Sequence, residues 1–268
     1  MTRAHSPSTP LSTSKSAALS RVLDLIGRGY TRYTAGQIPE QKLMGFLQKF
    51  HERYGIGCSP AQRITRKQKG VANAALVLYR TPLGAASGGP GCTKPDAALD
   101  SSPASNLASD SDSDFDSNSA SVTVADSTTM PANGEQPIQW LLLVTSGGGP
   151  VTEMESLNTV MEKPGLTWLG YELVRYANRG RISWTWRRPK GEMEDWYALL
   201  GVQLAARKMS AVLQTLLLIS RQPGFSGVRE QSWALMQFAR SRGYAGELPF
   251  LFHMQKVAHG APLRIPVP

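Results

Sequence analysis

Cysteine is nearly absent from this chain: Cys58 and Cys92 are the only two in 268 residues. That excludes a disulfide framework and a Cys-rich zinc site, and it fits a reducing compartment. Histidine is scarce as well. His5, His51, His253 and His259 form no His-Glu-x-x-His pattern and no Cys-x-x-Cys accompanies them, so neither a metal nor a cofactor is expected. Long apolar runs are missing: the best, Leu141–Val144 and Leu216–Ile219, fall far short of the ~20 residues that cross a bilayer. No apolar stretch follows Arg3 as a secretory signal requires. The expectation is a cytoplasmic protein with no membrane insertion.

Catalytic signatures are equally thin. The loop Thr145-Ser-Gly-Gly-Gly-Pro150 follows the strongest strand signal, where a phosphate-cradling loop sits, but it lacks the Gly-Lys-Ser/Thr ending and the G-x-G-x-x-G spacing. It reads as an ordinary glycine turn. No Gly-x-Ser-x-Gly elbow occurs. His253 with Glu247 or Glu230 is a conceivable acid–base pair, yet a lone histidine between Phe252 and Met254 reads first as a packing or surface residue. No catalytic residue is assigned.

What the chain does have is positive charge. Lys and Arg number 29 against 20 Asp and Glu, a formal net charge of +9, and 41% of residues are hydrophobic, enough for a folded core. The charge is unevenly spread. From Lys94 to Gln136 one Lys stands against seven Asp and one Glu, a net −7, which leaves +16 for the rest. In the same stretch Asp110, Asp112, Asp114 and Asp116 alternate mostly with Ser amid Pro, Gly and Ala, a composition that cannot bury enough apolar surface to order itself. It reads as a spacer, or as a tether that competes with a polyanion for a basic face.

These features divide the chain into a disordered leader (1–16), a basic helical region (17–80), a disordered linker (81–137), a small sheet region (138–190), a helical region (191–260) and a tail (261–268). In the first ordered region a helix is expected over Ala18–Gly27, with Leu19, Val22, Leu23 and Ile26 on one face. A second is expected over Pro39–Tyr54, closed by Gly55, and a third begins at Ser59-Pro60 with Ile64, Val71, Ala75 and Leu78 as its apolar face. Beyond the linker, Trp140–Thr145 is a strand and Glu153–Met161 a short helix. Leu166–Tyr176 and Arg181–Arg188 are paired strands around Asn178-Arg179-Gly180, with Trp184 and Trp186 on one face. One or two helices follow over 191–222, then Val228–Arg242 and a last short one over Leu248–Val257. The fold class expected is α+β: a small antiparallel or mixed sheet packed on a helical C-terminal half, with a separate short helical N-terminal region.

Two basic loci stand out as nucleic-acid contacts. Arg63, Arg66, Lys67 and Lys69 lie on the third helix, which reads either as a major-groove reader or as a solvated or protein-docking basic helix. Arg175, Arg179, Arg181, Arg187, Arg188 and Lys190 surround the Trp-bearing hairpin, where phosphate contact needs only charge and donors.

The stretches Leu166-Thr-Trp-Leu-Gly-Tyr-Glu-Leu-Val-Arg175, Ser183-Trp-Thr-Trp-Arg-Arg188, Trp196-Tyr-Ala-Leu-Leu200 and Arg221-Gln-Pro-Gly-Phe-Ser-Gly-Val228 resemble uncharacterised accessory proteins of proteobacterial plasmids and integrative elements, over most of residues 140–260. The resemblance implies a setting of DNA maintenance, transfer or regulation and brings no catalytic residues. The function expected is a non-enzymatic DNA-associated accessory or regulatory protein of a mobile element, its partner DNA or another polyanion. The alternatives are a module that binds an acidic protein partner, and an enzyme with a site near His253.

Overall fold

The computed structural model describes residues 6–82, 137–178, 180–254 and 258–266. Along these run β1 (Ser8–Ser12), α1 (Lys15–Gly27), β2 (Tyr30–Ile38), α2 (Leu43–Tyr54), α3 (Pro60–Gln68), β3 (Ala74–Tyr79), β4 (Ile138–Thr145), α4 (Pro150–Met154), β5 (Asn158–Thr159), β6 (Thr167–Trp168), β7 (Tyr171–Asn178), β8 (Arg181–Arg187), α5 (Lys190–Ala205), α6 (Met209–Ser220), α7 (Ser226–Ser241) and β9 (Ala261–Arg264). The α+β class is as expected. A six-stranded mixed sheet has the order β5-β2-β4-β3-β1-β9, and a three-stranded antiparallel sheet has the order β6-β7-β8. In the larger sheet β1 and β3 run parallel and every other described pairing is antiparallel.

The centre of the larger sheet is buried on both faces. Ala75, Val77 and Tyr79 of β3 and Leu141 and Leu143 of β4 point into a core with Leu19, Val22 and Ile26 of α1. Their neighbours Ala74, Leu76, Leu78, Leu142 and Val144 point the other way, onto Leu43, Leu47 and Phe50 of α2. Strands covered on both faces lose the apolar–polar alternation and read as continuous hydrophobic runs. This is why Val71–Tyr79, expected to extend the third helix, instead leads into and forms strand β3 over Ala74–Tyr79: α3 ends at Gln68 and Gly70 turns the chain in the left-handed region.

The N-terminal third is accordingly not a separate helical region. β2 and β3 flank β4 in one sheet, with Ala35 opposite Leu141 and Val77 opposite the same residue on its other side. Helices α1 and α2 lie on opposite faces of that sheet, so the three N-terminal helices form no common bundle. The leader and tail also differ from expectation: β1 lies within residues 1–16 and pairs with β9, which lies within residues 261–268. The expected linker, apart from Thr81, Pro82 and Pro137, falls outside the described residues.

The smaller sheet joins the first core through Leu166, Trp168, Tyr171, Leu173 and Trp186. Trp186 is fully buried and its indole donates to the carbonyl of Leu19 at 3.0 Å, which ties β8 to α1. The expected strand Leu166–Tyr176 is split into β6 and β7 by a turn at Leu169 and Gly170, both at positive φ. Helix α4 is shorter than the expected Glu153–Met161, and residues 248–254 are not helical. Helices α5, α6 and α7 build a third core around Trp196, Leu200, Leu216 and Leu235.

Candidate anion-binding pocket

Helix α3 begins on a complete capping box. Ser59 Oγ accepts from the backbone N–H of Gln62, and Gln62 Oε1 accepts from the N–H of Ser59. The box fixes the direction in which the next turn projects its arginine. Arg63 turns back under its own helix: Nε donates to the carbonyl of Cys58 at 3.2 Å, Nη2 to that of Ile56 at 2.8 Å, and Nη1 to Tyr30 Oη at 2.6 Å and to the carbonyl of Ala74 at 3.3 Å. Arg66, one turn on, donates to the carbonyl of Ala72 at 3.1 Å. Both arginines expected to read DNA are thus braces between α3 and the sheet, and Gln62 is spent on the cap. Lys67 and Lys69 are exposed.

The glycine loop after β4 is stitched to the same place. Thr145 and Asn73 exchange bonds, the Thr145 N–H donating to the Asn73 carbonyl and Thr145 Oγ1 accepting from the Asn73 N–H, each at 2.9 Å. Asn73 Nδ2 donates to the Arg63 carbonyl at 3.0 Å, Ala72 N–H to the Gly148 carbonyl at 2.9 Å, and Gly148 N–H to the Gly70 carbonyl at 3.0 Å. A side chain at Gly147 would lie 2.7 Å from the Gly70 carbonyl oxygen, and its φ is +135°. The loop is a close-packed glycine turn, as expected.

Between α1, α3 and this loop lies a cavity of about 770 Å³. Arg21, Arg28, Arg63 and Lys67 line it, and among the described residues no Asp or Glu does. Arg21 lies on α1 and Arg28, seven residues on, caps its C-terminal end, so the two lie near one face, beside the buried stripe of Val22, Leu25 and Ile26. Arg21 Nε is buried with no hydrogen-bond partner among the described residues. Burial, then the like charges of Arg63 and Arg28, pull the Arg21 pKa down from its ordinary value to about 10, with the opposing pull of Tyr30 and Asp24 smaller. Arg21 remains cationic at neutral pH, in a place where positive charge is gathered and under-compensated. Reading charge by segment finds Arg63 and Lys67 but passes over Arg21 and Arg28, whose seven-residue spacing is the signal for them.

The hairpin locus is different in kind. Arg188 is not a surface residue: it is 1% exposed. Its guanidinium donates to Gln222 and, at 2.8 Å, to Ser232 Oγ and, at 3.3 Å, to the Val228 carbonyl, while its backbone is bracketed by the Gln231 amide. Desolvation lowers its pKa. It holds β8 against α7 and corrects the expectation of a phosphate contact. Arg175 is exposed and sits 5.5 Å from the partly buried ring of Trp184. Arg187 and Lys190 are exposed, but the hollow they share with Arg188 also contains Glu172 and Glu230, and Lys190 pairs with Glu194 at 3.5 Å. Arg179 and the side chain of Arg181 lie outside the described residues. Charge is therefore concentrated at the N-terminal locus and diluted by carboxylates at the hairpin.

His253, Glu230 and Glu247 do line one cavity, of about 940 Å³, together with Arg229 and Trp233. His253 is exposed, and no hydrogen bond or ion pair to either carboxylate orients it among the described residues. No group of three His, Cys, Asp or Glu suited to a metal occurs among the described residues, and no helix there is long and apolar enough to cross a membrane. Comparison of the chain with protein-family models, with curated proteins and with solved structures finds no match.

Proposed function

We propose that this protein is a cytoplasmic, non-enzymatic DNA-associated accessory or regulatory protein, and that the pocket between α1, α3 and the β4–α4 loop holds phosphate. The observation that carries the reading is the set of four cations, Arg21, Arg28, Arg63 and Lys67, around a cavity lined by no carboxylate among the described residues. Gathering like charges costs stability in the free protein, and an anionic ligand offsets that cost. The +16 outside residues 94–136 supplies long-range attraction toward a polyanion, and exposed Arg175, Arg187 and Lys69 add peripheral contacts. The resemblance to accessory proteins of plasmids and integrative elements favours DNA as that polyanion.

The test is a fluorescence-anisotropy titration of the full chain with duplex and single-stranded DNA between 50 and 200 mM salt. Micromolar or tighter binding that weakens steeply with salt supports the reading. No binding at 50 mM salt overturns it.

A second reading, an acid–base site, is favoured by the convergence of His253, Glu230 and Glu247 in one cavity. A screen of ester, peptide and phosphoester substrates tests it. Turnover lost in His253→Gln supports the site, and turnover unaffected by that change removes it.

A further inference from the structure

The pocket's shape and lining specify a narrower ligand than a polyanion, an inference that rests on the phosphate-binding reading above. An internal phosphate of a nucleic-acid strand is a monoanionic diester flanked by sugar on both sides, so it presents itself to a surface rather than to a recess. A terminal phosphate enters a recess end-on and carries roughly −1.5 to −2 charges at pH 7. The cavity here is a recess: Arg21 Nε is out of contact with solvent and Tyr30 is buried, while Arg28 and Lys67 are exposed at the same cavity. Four cations without a carboxylate match a dianionic end better than one diester.

The donor inventory agrees. Arg63 is immobilised by its bonds to Cys58, Ile56, Tyr30 and Ala74, so its charge is fixed in place before any ligand arrives. Because Tyr30 accepts from Arg63, its own hydroxyl hydrogen is left to donate. Arg21 Nε is buried with no hydrogen-bond partner among the described residues, so the protein leaves part of that guanidinium's charge uncompensated beside the cavity. Leu25, Pro60 and Ile64 supply an apolar wall, which suits the sugar and base that accompany a terminal phosphate and which a pocket for inorganic phosphate does not need.

We propose that the pocket binds a terminal phosphomonoester attached to a nucleoside, either the phosphorylated end of a nucleic-acid strand or a free mononucleotide. Anisotropy of labelled oligonucleotides bearing a phosphate or a hydroxyl at the 5′ end, and at the 3′ end, tests this with the full chain. One phosphorylated end is expected to bind about tenfold more tightly than its hydroxyl counterpart. The doubly substituted Arg28→Gln/Lys67→Gln variant, both of whose altered residues are exposed, is expected to reduce that preference below about twofold with an unchanged melting temperature. Equal affinity for phosphorylated and hydroxyl ends overturns end recognition while leaving polyanion binding intact. Failure of every oligonucleotide to bind at 50 mM salt overturns both. Displacement by a nucleoside monophosphate at concentrations as low as those of the unlabelled phosphorylated strand identifies the free nucleotide as the source, and displacement only by the strand, or by far higher nucleotide, identifies the strand end.

Discussion

Arg63 donates to the phenolic oxygen of Tyr30 at 2.6 Å, joining the first turn of α3 to the first residue of β2. The bond fixes one of the pocket's cations and couples the pocket's geometry to the start of β2, inside the larger sheet. Tyr30→Phe removes the acceptor and leaves the guanidinium its three carbonyl partners, so a loss of about 1 kcal/mol in urea denaturation is expected, together with weaker anion binding.

Exposed cations at the pocket should act through charge alone. Replacing Arg28 and Lys67 with Ala is expected to weaken DNA binding across sequences and to reduce the slope of log K against log salt by about 2, one for each phosphate that is no longer neutralised. A slope unchanged from wild type places the phosphate-binding cations elsewhere.

Arg21 sets stability against binding. Its depressed pKa means that the folded chain carries a protonated arginine at a cost, so Arg21→Met is expected to stabilise the free protein by about 1 kcal/mol at pH 7 and to weaken anion binding. The cost is fully present below pH 10. As pH rises through about 10 the folded-state Arg21 loses its proton before the unfolded-state group does, and the stability gap between variant and wild type closes. Thermal melts at pH 7, 9 and 10.5, with and without phosphate, measure both effects.

Arg188 should behave in the opposite way to a ligand contact. Arg188→Ala leaves Ser232 Oγ and Gln222 without their donor and empties a buried site, the Val228 carbonyl keeping its bond from Ser232 Oγ, and a loss of about 3 kcal/mol in chemical denaturation is expected. Arg187→Ala, at an exposed position beside it, is expected to leave stability within about 0.5 kcal/mol of wild type.

Gly147 admits no side chain. A methyl group there meets the backbone of Gly70 and Ala72 and forces a non-glycine residue to φ +135°, so Gly147→Ala is expected to cost about 2 to 3 kcal/mol. Gly148, where nothing lies within reach of an added carbon, is the control and should tolerate the same change.

Local signals were legible in the sequence where local physics decides the structure. The start of α3 at Ser59-Pro60, the left-handed Gly55 that ends α2, the strand over Trp140–Thr145 and the helix over Val228–Arg242 all follow from neighbouring residues. What stayed hidden depends on partners far along the chain. β1 and β9 are short and become strands through pairing across some 250 residues, Ser8 with Arg264 and Leu11 with Ala261. β2 carries Thr, Arg and Gly instead of an apolar face and is held by β4 along its whole length. The pocket was hidden for the same reason: Arg21 and Lys67 belong to different helices, and nothing in either helix announces that the sheet brings them to one cavity.

Tyr79 at the end of β3 stands opposite Gln139 near the start of β4, in an unbroken antiparallel register that runs back to Ala74 and Val144. Topologically the two strands are a hairpin whose connection happens to be long. A tight turn of four or five residues would span the gap, so excising 83–136 should leave the sheet, its cores and the cation pocket in place. The shortened chain would lose less entropy on closing that connection, a gain of about 2 kcal/mol in folding. The segment between the strands is then a cassette, exchangeable without redesign of the scaffold that carries it.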